Sequence, residues 1–391
     1  MIQNQLEKAV SDDIRYRTDL DKTLHEISAE CVECGICVKK CGFLQKYGTP
    51  KKIADSWQPR DEETAAIPFA CSLCSLCTAV CPVKIDPRQM FLEMRRYAAA
   101  RGEVDFTRQQ LLLNFEKRST SKRFTFYGLP AGCDTALFPG CALAGTRPRR
   151  VMQLFEHLQE FFPNLGIVLD CCTKPSHDLG RSDYFQAMFS EMQHYLAGHG
   201  IKNILVACPS CHAVFKQYGK GLVTRSVYEI LAREFWQPES FFPAEPLTIQ
   251  DSCVSRFEKE VQNSVRKLIR SRGISVEEMK HHGKKTLCCG EGGGAHFVAP
   301  DLAGNWALQR GKEAHGKRII TYCAGCAHFL ERVAPTVHLL DLIFDPAASL
   351  AGRAKVAKSP ITYLNRLLLK WKFKKKKQYG YSRERTFSCE G

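Results

Sequence analysis

Two kinds of hydrophobic pattern divide the chain. Up to about residue 115, apolar residues recur at helical spacing, as in "PRQMFLEMRRYAAARG", and a polar, helix-prone stretch, "DDIRYRTDLDKTLHEISAE", precedes them. From residue 134 onward, short apolar runs such as "TALFPG", "GIVLD", "NILVACP", "LTIQD" and "RIITYC" alternate with longer helix-like segments. The first pattern predicts a mostly helical domain, and the alternation of short strands with helices is typical of α/β domains.

These patterns predict a multidomain α+β protein. The later helices are predicted over residues 149–162, 182–198, 257–271 and 301–315. We expect an N-terminal helical segment over 1–28, a helical domain over 29–115, α/β domains over 134–248 and 249–346, and a C-terminal tail over 347–391.

Composition indicates a folded protein of a reducing compartment. The 391 residues are 44% hydrophobic and 25% charged, which is enough to bury a core in two or three domains. The first residues, "MIQNQLEKAVSDDIRYR", lack the apolar core of a signal peptide, and no run approaches the ~18–20 apolar residues that span a bilayer. We therefore expect a cytoplasmic location, where clustered cysteines among the 20 present are metal ligands or redox groups rather than disulfides.

Positive charge is concentrated in the tail. Residues 353–391 hold 12 Lys and Arg against 2 Glu, so that +10 of the formal net charge of +15 lies there. The rest of the chain is only mildly basic, which argues against a nucleic-acid-binding surface on the folded part.

Eight cysteines of the helical part form two blocks of the same spacing, CxxCxxCxxxC. The first block is Cys31, Cys34, Cys37 and Cys41, and the second is Cys71, Cys74, Cys77 and Cys81, followed by Pro82. A zinc site usually takes its four ligands as two separated pairs, whereas three thiolates at this spacing suit one iron–sulfur cube and the fourth binds the other cube. The blocks therefore predict two [4Fe-4S] cubanes, bound by two sets: Cys31, Cys34, Cys37 with Cys81, and Cys71, Cys74, Cys77 with Cys41.

Ten later cysteines form two sets whose corresponding members lie about 115 residues apart, which indicates an internal repeat. The first set is Cys141, Cys171, Cys172, Cys208 and Cys211, and the second is Cys253, Cys288, Cys289, Cys323 and Cys326. Each group follows a predicted strand, "KTLCCG" included, and such strand ends meet at one edge of a parallel sheet. Buried core cysteines, or a zinc ion at each CxxC, are the alternatives, but an adjacent Cys-Cys pair exceeds what a four-ligand site needs.

These motifs resemble the paired cysteine-rich domains of heterodisulfide reductase catalytic subunits. The residues that carry the resemblance are Cys141, the pair Cys171 and Cys172, "CPSC" at 208–211, Cys253, "CCG" at 288–290 and "CAGC" at 323–326. These domains follow a two-cluster ferredoxin module in the chain. This layout is also similar to that of the iron–sulfur subunits of glycolate oxidase, anaerobic glycerol-3-phosphate dehydrogenase and thiol:fumarate reductase. The implied fold is a mostly helical two-cluster ferredoxin domain followed by two repeated α/β cysteine-rich domains.

The resemblance implies that each five-cysteine set holds a non-cubane [4Fe-4S] cluster and that both clusters face a disulfide substrate. One or two such clusters are expected beside the two cubanes, with no bound flavin or nicotinamide. The run Gly292–Gly294 lacks the GxGxxG order of a nucleotide loop, and a close backbone approach to a cluster suits it better. The first repeat departs from the family where Thr173 replaces the glycine of "CCG", and a side chain at this position can change the local backbone.

Three histidines near the cluster cysteines, His177, His212 and His296, are candidate proton donors to a thiolate product. A structural or surface role is the alternative for each of them. Cys133 and Cys389 fit no set, and Cys133 is expected to be a spare core or loop thiol.

Three functions are compatible with this layout. The first is an oxidoreductase subunit that passes electrons through two cubanes to a heterodisulfide-reductase-like site, where a disulfide or thiol-linked substrate is reduced. The second is a non-catalytic electron-transfer subunit that links a flavoprotein dehydrogenase, of glycolate, lactate or glycerol-3-phosphate type, to a membrane quinone or cytochrome b. The third, an iron–sulfur regulator, would need a DNA- or partner-binding module, and the sequence offers none beyond the tail. The expected partners are a membrane cytochrome b or quinone-reactive subunit, a flavoprotein dehydrogenase, or both, and no nucleic acid.

The tail segment "ITYLNRLLLKWKFKKKK" predicts a basic amphipathic helix. Its apolar face consists of Ile361, Leu364, Leu368 and Trp371, widened by Leu367, and the basic residues that point away are Arg366, Lys370 and Lys374. Such a helix can lie on the inner face of the cytoplasmic membrane or dock on a membrane subunit. The alternatives are packing on its own domain before a solvated lysine run and, less well supported, nucleic acid binding.

Overall fold

The helical part packs around one apolar core. The computed structural model describes residues 2–234, 246–354, 356–376 and 378–389, with side chains described from residue 15 onward. The helices of this part are α1 (Ile2–Glu30), α2 (Gly42–Tyr47), α3 (Pro50–Ser56), α4 (Glu62–Ala66), α5 (Leu76–Val80), α6 (Pro87–Ala100) and α7 (Gln110–Ser119). α1 lies along α6 and α3, and buries Tyr16, Leu20 and Ile27 against Phe91 and Met94. The prediction of a mostly helical domain is confirmed.

Strands and helices alternate through the rest of the chain, as predicted. The first repeat contains β1 (Phe126–Leu129), β2 (Thr135–Phe138), α8 (Cys141–Thr146), α9 (Pro148–Gln159), β3 (Gly166–Leu169), α10 (Lys174–Asp178), α11 (Ser182–Gly198), β4 (Asn203–Val206), α12 (Pro209–Tyr218), β5 (Val223–Ser226) and α13 (Val227–Arg233). The second repeat contains β6 (Thr248–Gln250), α14 (Lys259–Ser271), α15 (Ala295–Val298), α16 (Pro300–Glu313), β7 (Ile319–Thr321), α17 (Ala324–Leu330), β8 (Thr336–His338), α18 (Leu339–Phe344) and α19 (Pro346–Leu350). The chain continues with α20 (Ile361–Lys375) and β9 (Tyr381–Arg383).

Each repeat forms its own sheet. The first sheet has the strand order β5-β4-β2-β3-β1-β9, in which β2 to β5 run parallel and β1 is antiparallel to both of its neighbours. The second sheet is parallel, with the order β6-β7-β8. α9 packs on the first sheet through Val151, Leu154 and Leu158, which recur at helical spacing, and the same apolar core continues to Ile249 and Ile320 of the second sheet. The α/β prediction for both repeats is therefore confirmed.

The predicted strand in "KTLCCG" is wrong, because the backbone of residues 286–290 forms no strand. Its polar groups are bound by residues 250 and 251 instead of by a neighbouring strand. Gln250 Nε2 donates to the carbonyl oxygen of Leu287, and Thr286 Oγ1 donates to the carbonyl oxygen of Asp251, both at 3.1 Å. Since a side chain already satisfies the carbonyl of Leu287, the segment keeps an extended course without joining the ladder.

The C-terminal tail packs against the first repeat and extends its sheet. β9 adds an edge strand beside β1, and α20 packs on α8 while Leu369 and Phe373 enter the apolar core. Arg366 and Lys370 point away from the apolar face, but they do so toward the protein interior, where they are 3% and 8% exposed. They face inward because Arg366 donates to Ser119, and Lys370 donates to the backbone carbonyls of Lys122 and Arg123.

The predicted apolar face of α20 is therefore its exposed face. Ile361, Leu364, Leu368 and Trp371 are 49–56% exposed, and we call these four residues the α20 stripe. Among the described residues, no helix is long and apolar enough to cross a bilayer.

Candidate iron–sulfur centres

The two cysteine blocks share one loop geometry. In the first block, Glu33 and Gly35 flank Cys34 with φ of 48° and 71°. In the second block, Leu73 and Ser75 flank Cys74 with φ of 50° and 57°. These left-handed residues curl each CxxCxxC loop on itself, so that cysteines three positions apart can line one cavity.

Two cavities lie beside these loops. The first is lined by Cys31, Cys34, Cys37, Cys77 and Cys81, together with apolar residues such as Val83 and Ile85. The second is lined by Cys41, Cys71, Cys74 and Cys77, together with Phe43, Leu44, Phe91 and Trp306. Cys41 thus lies with the second block and Cys81 with the first, and Cys77 borders both cavities.

The chemistry of the second cavity suits thiolate-bound iron. Burial raises the pKa of Cys71 to about 11 and that of Cys77 well above the usual range, so a free thiol there stays protonated and a metal must replace the proton. The backbone amide of Leu73 donates to Cys71 Sγ at 3.4 Å. Within the described residues, no three His, Cys, Asp or Glu side chains are spaced to hold a single metal ion.

A fully buried arginine binds the backbone of the loop that lines the same cavity. Arg95, on α6, donates to the carbonyl oxygens of Pro68, Cys71, Asp178 and Gly293 at 2.5–3.1 Å, and so joins the helical part to both repeats. Burial lowers the pKa of Arg95 only to about 10, and the guanidinium stays charged at neutral pH. A positive charge is thereby fixed beside the backbone of a cavity cysteine.

A second buried arginine contacts the same loop. Arg256 donates to the carbonyl oxygen of Cys74 at 3.0 Å through Nε, and to that of Lys284 at 2.6 Å through Nη1. Two cations therefore bind the carbonyl groups of the Cys71–Cys74 loop and favour negative charge in the cavity. A cluster bound by four thiolates is a negatively charged group, and the residues present fit it.

The first later set of cysteines converges beside the ends of β2, β3 and β4. Cys141 begins α8, Cys171 and Cys172 follow β3, and Cys208 and Cys211 lie at the start of α12. The sulfur atoms of Cys141 and Cys171 are 3.7 Å apart. Cys172 contacts both Cys171 and Cys211, and Cys211 also contacts Cys208, so the five thiols form one continuous cluster.

The second later set repeats this arrangement and touches the second cavity. Cys288 contacts Cys253 and Cys289, and Cys326 contacts Cys289 and Cys323. The side chain of Cys288 also packs beside that of Cys74, in one apolar cluster with Cys253. The second cavity and the second set are therefore adjacent at these two cysteines.

Comparison with known proteins agrees with this division of the chain. The family described as "4Fe-4S dicluster domain" matches residues 30–86, and the family described as "Cysteine-rich domain", or CCG, matches residues 135–216 and again 247–331. The chain carries a 4Fe-4S dicluster domain and two CCG domains. The predicted internal repeat and the resemblance to heterodisulfide-reductase-like iron–sulfur proteins are confirmed.

Curated relatives with these domains are oxidoreductase components. A CoM/CoB fumarate reductase subunit of Methanothermobacter marburgensis is 26% identical over 76% of this chain and 66% of its own length. The EtfAB:quinone oxidoreductase of Syntrophomonas wolfei is 25% identical over 58% of this chain and 36% of its own length. A heterodisulfide reductase subunit-like protein of Archaeoglobus profundus is 27% identical over 22% of this chain and 52% of its own length. The chain thus spans between about a third and two thirds of the length of these relatives.

Glu291, which the sequence patterns did not indicate, lies between cysteines of the two CCG sets. Its carboxylate lies near both Cys208 and Cys289, and although Glu291 is an exposed residue, partial loss of water around the carboxylate and the nearby Cys289 raise its pKa. Gly325 makes room for it, since a Cβ there would collide with the Glu291 carboxylate. The position of Glu291 in "CCGEGGG", two residues after a cysteine pair, was the available signal.

Tyr228 lies between the two cysteine sets. Its ring is buried, it lies near both Cys208 and Cys323, and its hydroxyl donates to the carbonyl oxygen of Tyr322 at 3.3 Å. The two CCG sites therefore face one shared region of the protein.

Thr173 has an unusual conformation in the first CCG domain. It adopts φ 52° and ψ 28°, a left-handed geometry that costs a β-branched residue about 1–2 kcal/mol. Its side chain is fully buried, and its hydroxyl has no hydrogen-bond partner among the described residues. A buried hydroxyl left unpaired costs about 1–3 kcal/mol more.

The three predicted histidines occupy different environments. His177 is enclosed, with Asp178 at 2.8 Å from Nδ1 and the Tyr218 hydroxyl at 2.9 Å from Nε2, and burial lowers its pKa to about 4. His212 is buried on α12 directly after Cys211, and burial lowers its pKa as well. His296 is partly exposed, and its Nδ1 lies 3.3 Å from the carbonyl oxygen of Glu291. Of the three histidines, His296 is the one whose ring lies beside Glu291.

Proposed function

We propose that this iron–sulfur oxidoreductase subunit passes electrons from a first cubane to a second, then to two clusters held by the CCG sets, where a disulfide or thiol-linked substrate is reduced. The contact between the thiols of Cys74 and Cys288 carries the proposal, because it joins the second cubane cavity to the second CCG set. Cys77, which borders both cavities, supplies the step before it.

These contacts support the following ligand sets. Cys31, Cys34, Cys37 and Cys81 would hold the first cubane, and Cys41, Cys71, Cys74 and Cys77 the second, while each CCG set of five would hold one non-cubane cluster. When bound, the clusters supply single electrons. Cleavage of a disulfide consumes two electrons and two protons and releases two thiols. Glu291 lies near a cysteine of each set, and His296 beside it is the proposed proton donor.

A second candidate is electron transfer without a substrate, between a partner dehydrogenase and a membrane quinone or cytochrome b. The observation that favours it is the position of the α20 stripe. α20 packs on α8, which begins at Cys141, so a partner docked on the stripe would lie close to the first CCG set. The name of the Syntrophomonas relative, a quinone oxidoreductase, is consistent with this function.

Disulfide reduction is expected in the isolated, fully loaded chain. The protein would be reconstituted anaerobically with iron and sulfide to about 16 irons per chain. It would then be reduced with dithionite, freed of excess reductant and mixed with oxidised glutathione, cystine or a mixed alkyl disulfide. We expect thiol to appear with reoxidation of the clusters. The variant C133A provides the control, because Cys133 is buried outside every cysteine set and donates to Thr135. Full iron loading with no thiol from any disulfide would favour electron transfer alone.

The α20 stripe is expected to bind an anionic membrane surface. The stripe is apolar, and Lys375 lies over the ring of Trp371 at 3.7 Å, so apolar and positive groups are presented together. Each lysine near an anionic surface adds about 1 kcal/mol of attraction. Vesicles of phosphatidylserine and phosphatidylcholine should therefore retain the protein, and vesicles of phosphatidylcholine alone should retain much less.

A double variant tests whether vesicle binding depends on the α20 stripe rather than on the stability of the protein. L364S with L368S should lower vesicle affinity at least tenfold, because two half-exposed leucines lose their apolar contact while the buried face of α20 is unchanged. L111S is the matched control, since Leu111 is 75% exposed on α7, outside the stripe. Unchanged vesicle binding by the double variant would refute membrane docking and leave a protein partner as the ligand of the stripe.

A further inference from the structure

We propose that the hydroxyl of Thr173 donates a hydrogen bond to a sulfur atom of the cluster in the first CCG domain, and thereby gives that cluster a higher reduction potential than its counterpart in the second domain. The inference rests on the proposed function in one respect, namely that the first cysteine set holds a cluster.

The backbone at this position differs between the two repeats for a steric reason. Gly290, the corresponding residue of the second domain, has φ 99°, and a Cβ there would collide with the carbonyl oxygen of Ala303. A threonine is therefore excluded from the second site. The first site accepts Thr173 in a left-handed conformation that glycine would adopt more easily. The side chain is thus kept where a glycine would give the less strained backbone.

The hydroxyl of Thr173 lacks a hydrogen-bond acceptor among the described residues. Thr173 occupies the position before α10, where a threonine side chain commonly caps the helix, but its hydroxyl makes no capping hydrogen bond. The side chain is fully buried, and Oγ1 has no partner among the described residues. Buried hydroxyl groups are nearly always hydrogen-bonded, and Thr173 directly follows the cysteine pair of the first set. The sulfur atoms of a cluster bound by that set would be acceptors next to this residue.

A hydrogen bond to cluster sulfur changes the electron affinity of the cluster. The reduced cluster carries one more negative charge than the oxidised one, so a donor stabilises the reduced form and raises the reduction potential. In the second domain the observed donor is a backbone amide, that of Gly290, at 3.2 Å from Cys288 Sγ. The hydroxyl of Thr173 is a side-chain donor at a position where the second domain has a glycine. Electrons that arrive at the second CCG site through Cys74 would accordingly move on to the first.

The test uses three variants of the full-length, reconstituted protein. T173V keeps the shape and removes the hydroxyl, T173G restores the residue of the second repeat, and T173S keeps the hydroxyl. Redox titrations followed by EPR would measure the midpoint potential of each cluster, with C141A identifying the signal of the first CCG site. We expect T173V and T173G to lower that potential, T173S to stay near wild type, and the other clusters to be unchanged.

The outcomes separate the inference from the proposed function. A first-site signal whose potential is the same in wild type, T173V and T173G would overturn the role of Thr173 and leave the cluster in place. Equal shifts in all three variants, T173S included, would also overturn it, because they would reflect packing rather than the hydroxyl. If C141A changed neither the iron content nor the spectra, the first set would hold no cluster and the proposed function itself would fail. T173G relieves backbone strain, so the test survives poor folding of T173V.

Discussion

The variant C41A is expected to lose the cubane of the second block and to keep that of the first block, although Cys41 belongs to the first block in sequence. The reason is geometric, since Cys41 lines the second cavity with Cys71, Cys74 and Cys77. Iron content should fall by about four atoms per chain, and one of the two cubane EPR signals should disappear. Electron delivery to the CCG sites should stop as well, because the contact to Cys288 is made by Cys74 of the same cavity.

The reciprocal variant makes the result decisive. C81A should remove the other cubane signal, because Cys81 lines the cavity of Cys31, Cys34 and Cys37. C133A, whose thiol lies outside both cavities, should keep full iron and both signals. Loss of the same signal in C41A and in a variant of Cys31 would show that each block binds its own cluster, and the exchanged ligand sets would be wrong.

The variant R95M is expected to cause the largest loss of stability among single substitutions away from the cysteines. Arg95 satisfies the carbonyl oxygens of Pro68, Cys71, Asp178 and Gly293, and methionine can satisfy none of them. Several buried carbonyls left without donors should lower the free energy of unfolding by about 3 kcal/mol or more. Urea denaturation under anaerobic conditions would measure the loss.

A surface arginine of the same domain supplies the comparison for R95M. Arg60 is exposed, and R60M should change the free energy of unfolding by about 0.5 kcal/mol or less. Because Arg95 joins the dicluster domain to both CCG domains, R95M should also make the chain between the domains easier to cleave by protease. A free energy of unfolding equal to that of wild type would mean that the four carbonyl groups find other donors, and the joining role would be refuted.

Local pattern was sufficient for the core strands and the long helices of both repeats. Five of the six predicted strand runs became β2, β3, β4, β6 and β7, and the four predicted helices became α9, α11, α14 and α16. Strands and helices of this kind are determined by the periodicity of their own apolar residues, which sequence reports directly. The cysteine spacing likewise indicated the dicluster domain and the CCG repeat, because ligand spacing within one loop is a local property.

Other features depend on partners that lie far away in sequence. The segment "KTLCCG" has strand-like residues, but Gln250 binds the carbonyl of Leu287 and the ladder does not form. α20 has the expected amphipathic pattern. Two of its basic residues nevertheless face inward, because they donate hydrogen bonds to Ser119 and to the backbone of Lys122 and Arg123, and the apolar stripe is left exposed. Hydrogen-bond acceptors of this kind are supplied by the tertiary structure, and a helical pattern does not report them.

Sequence by itself determined which cysteines are the candidate iron ligands and that a dicluster domain precedes two CCG domains, because both follow from spacing and periodicity along the backbone. Only the tertiary structure decided which cysteine sets are neighbours. The contact between Cys74 and Cys288, the place of Glu291 between the two CCG sets and the buried hydroxyl of Thr173 all arise where separate segments pack together. Such proximity depends on the folded arrangement of distant parts of the chain, and in the proposed function it would set the order in which electrons pass.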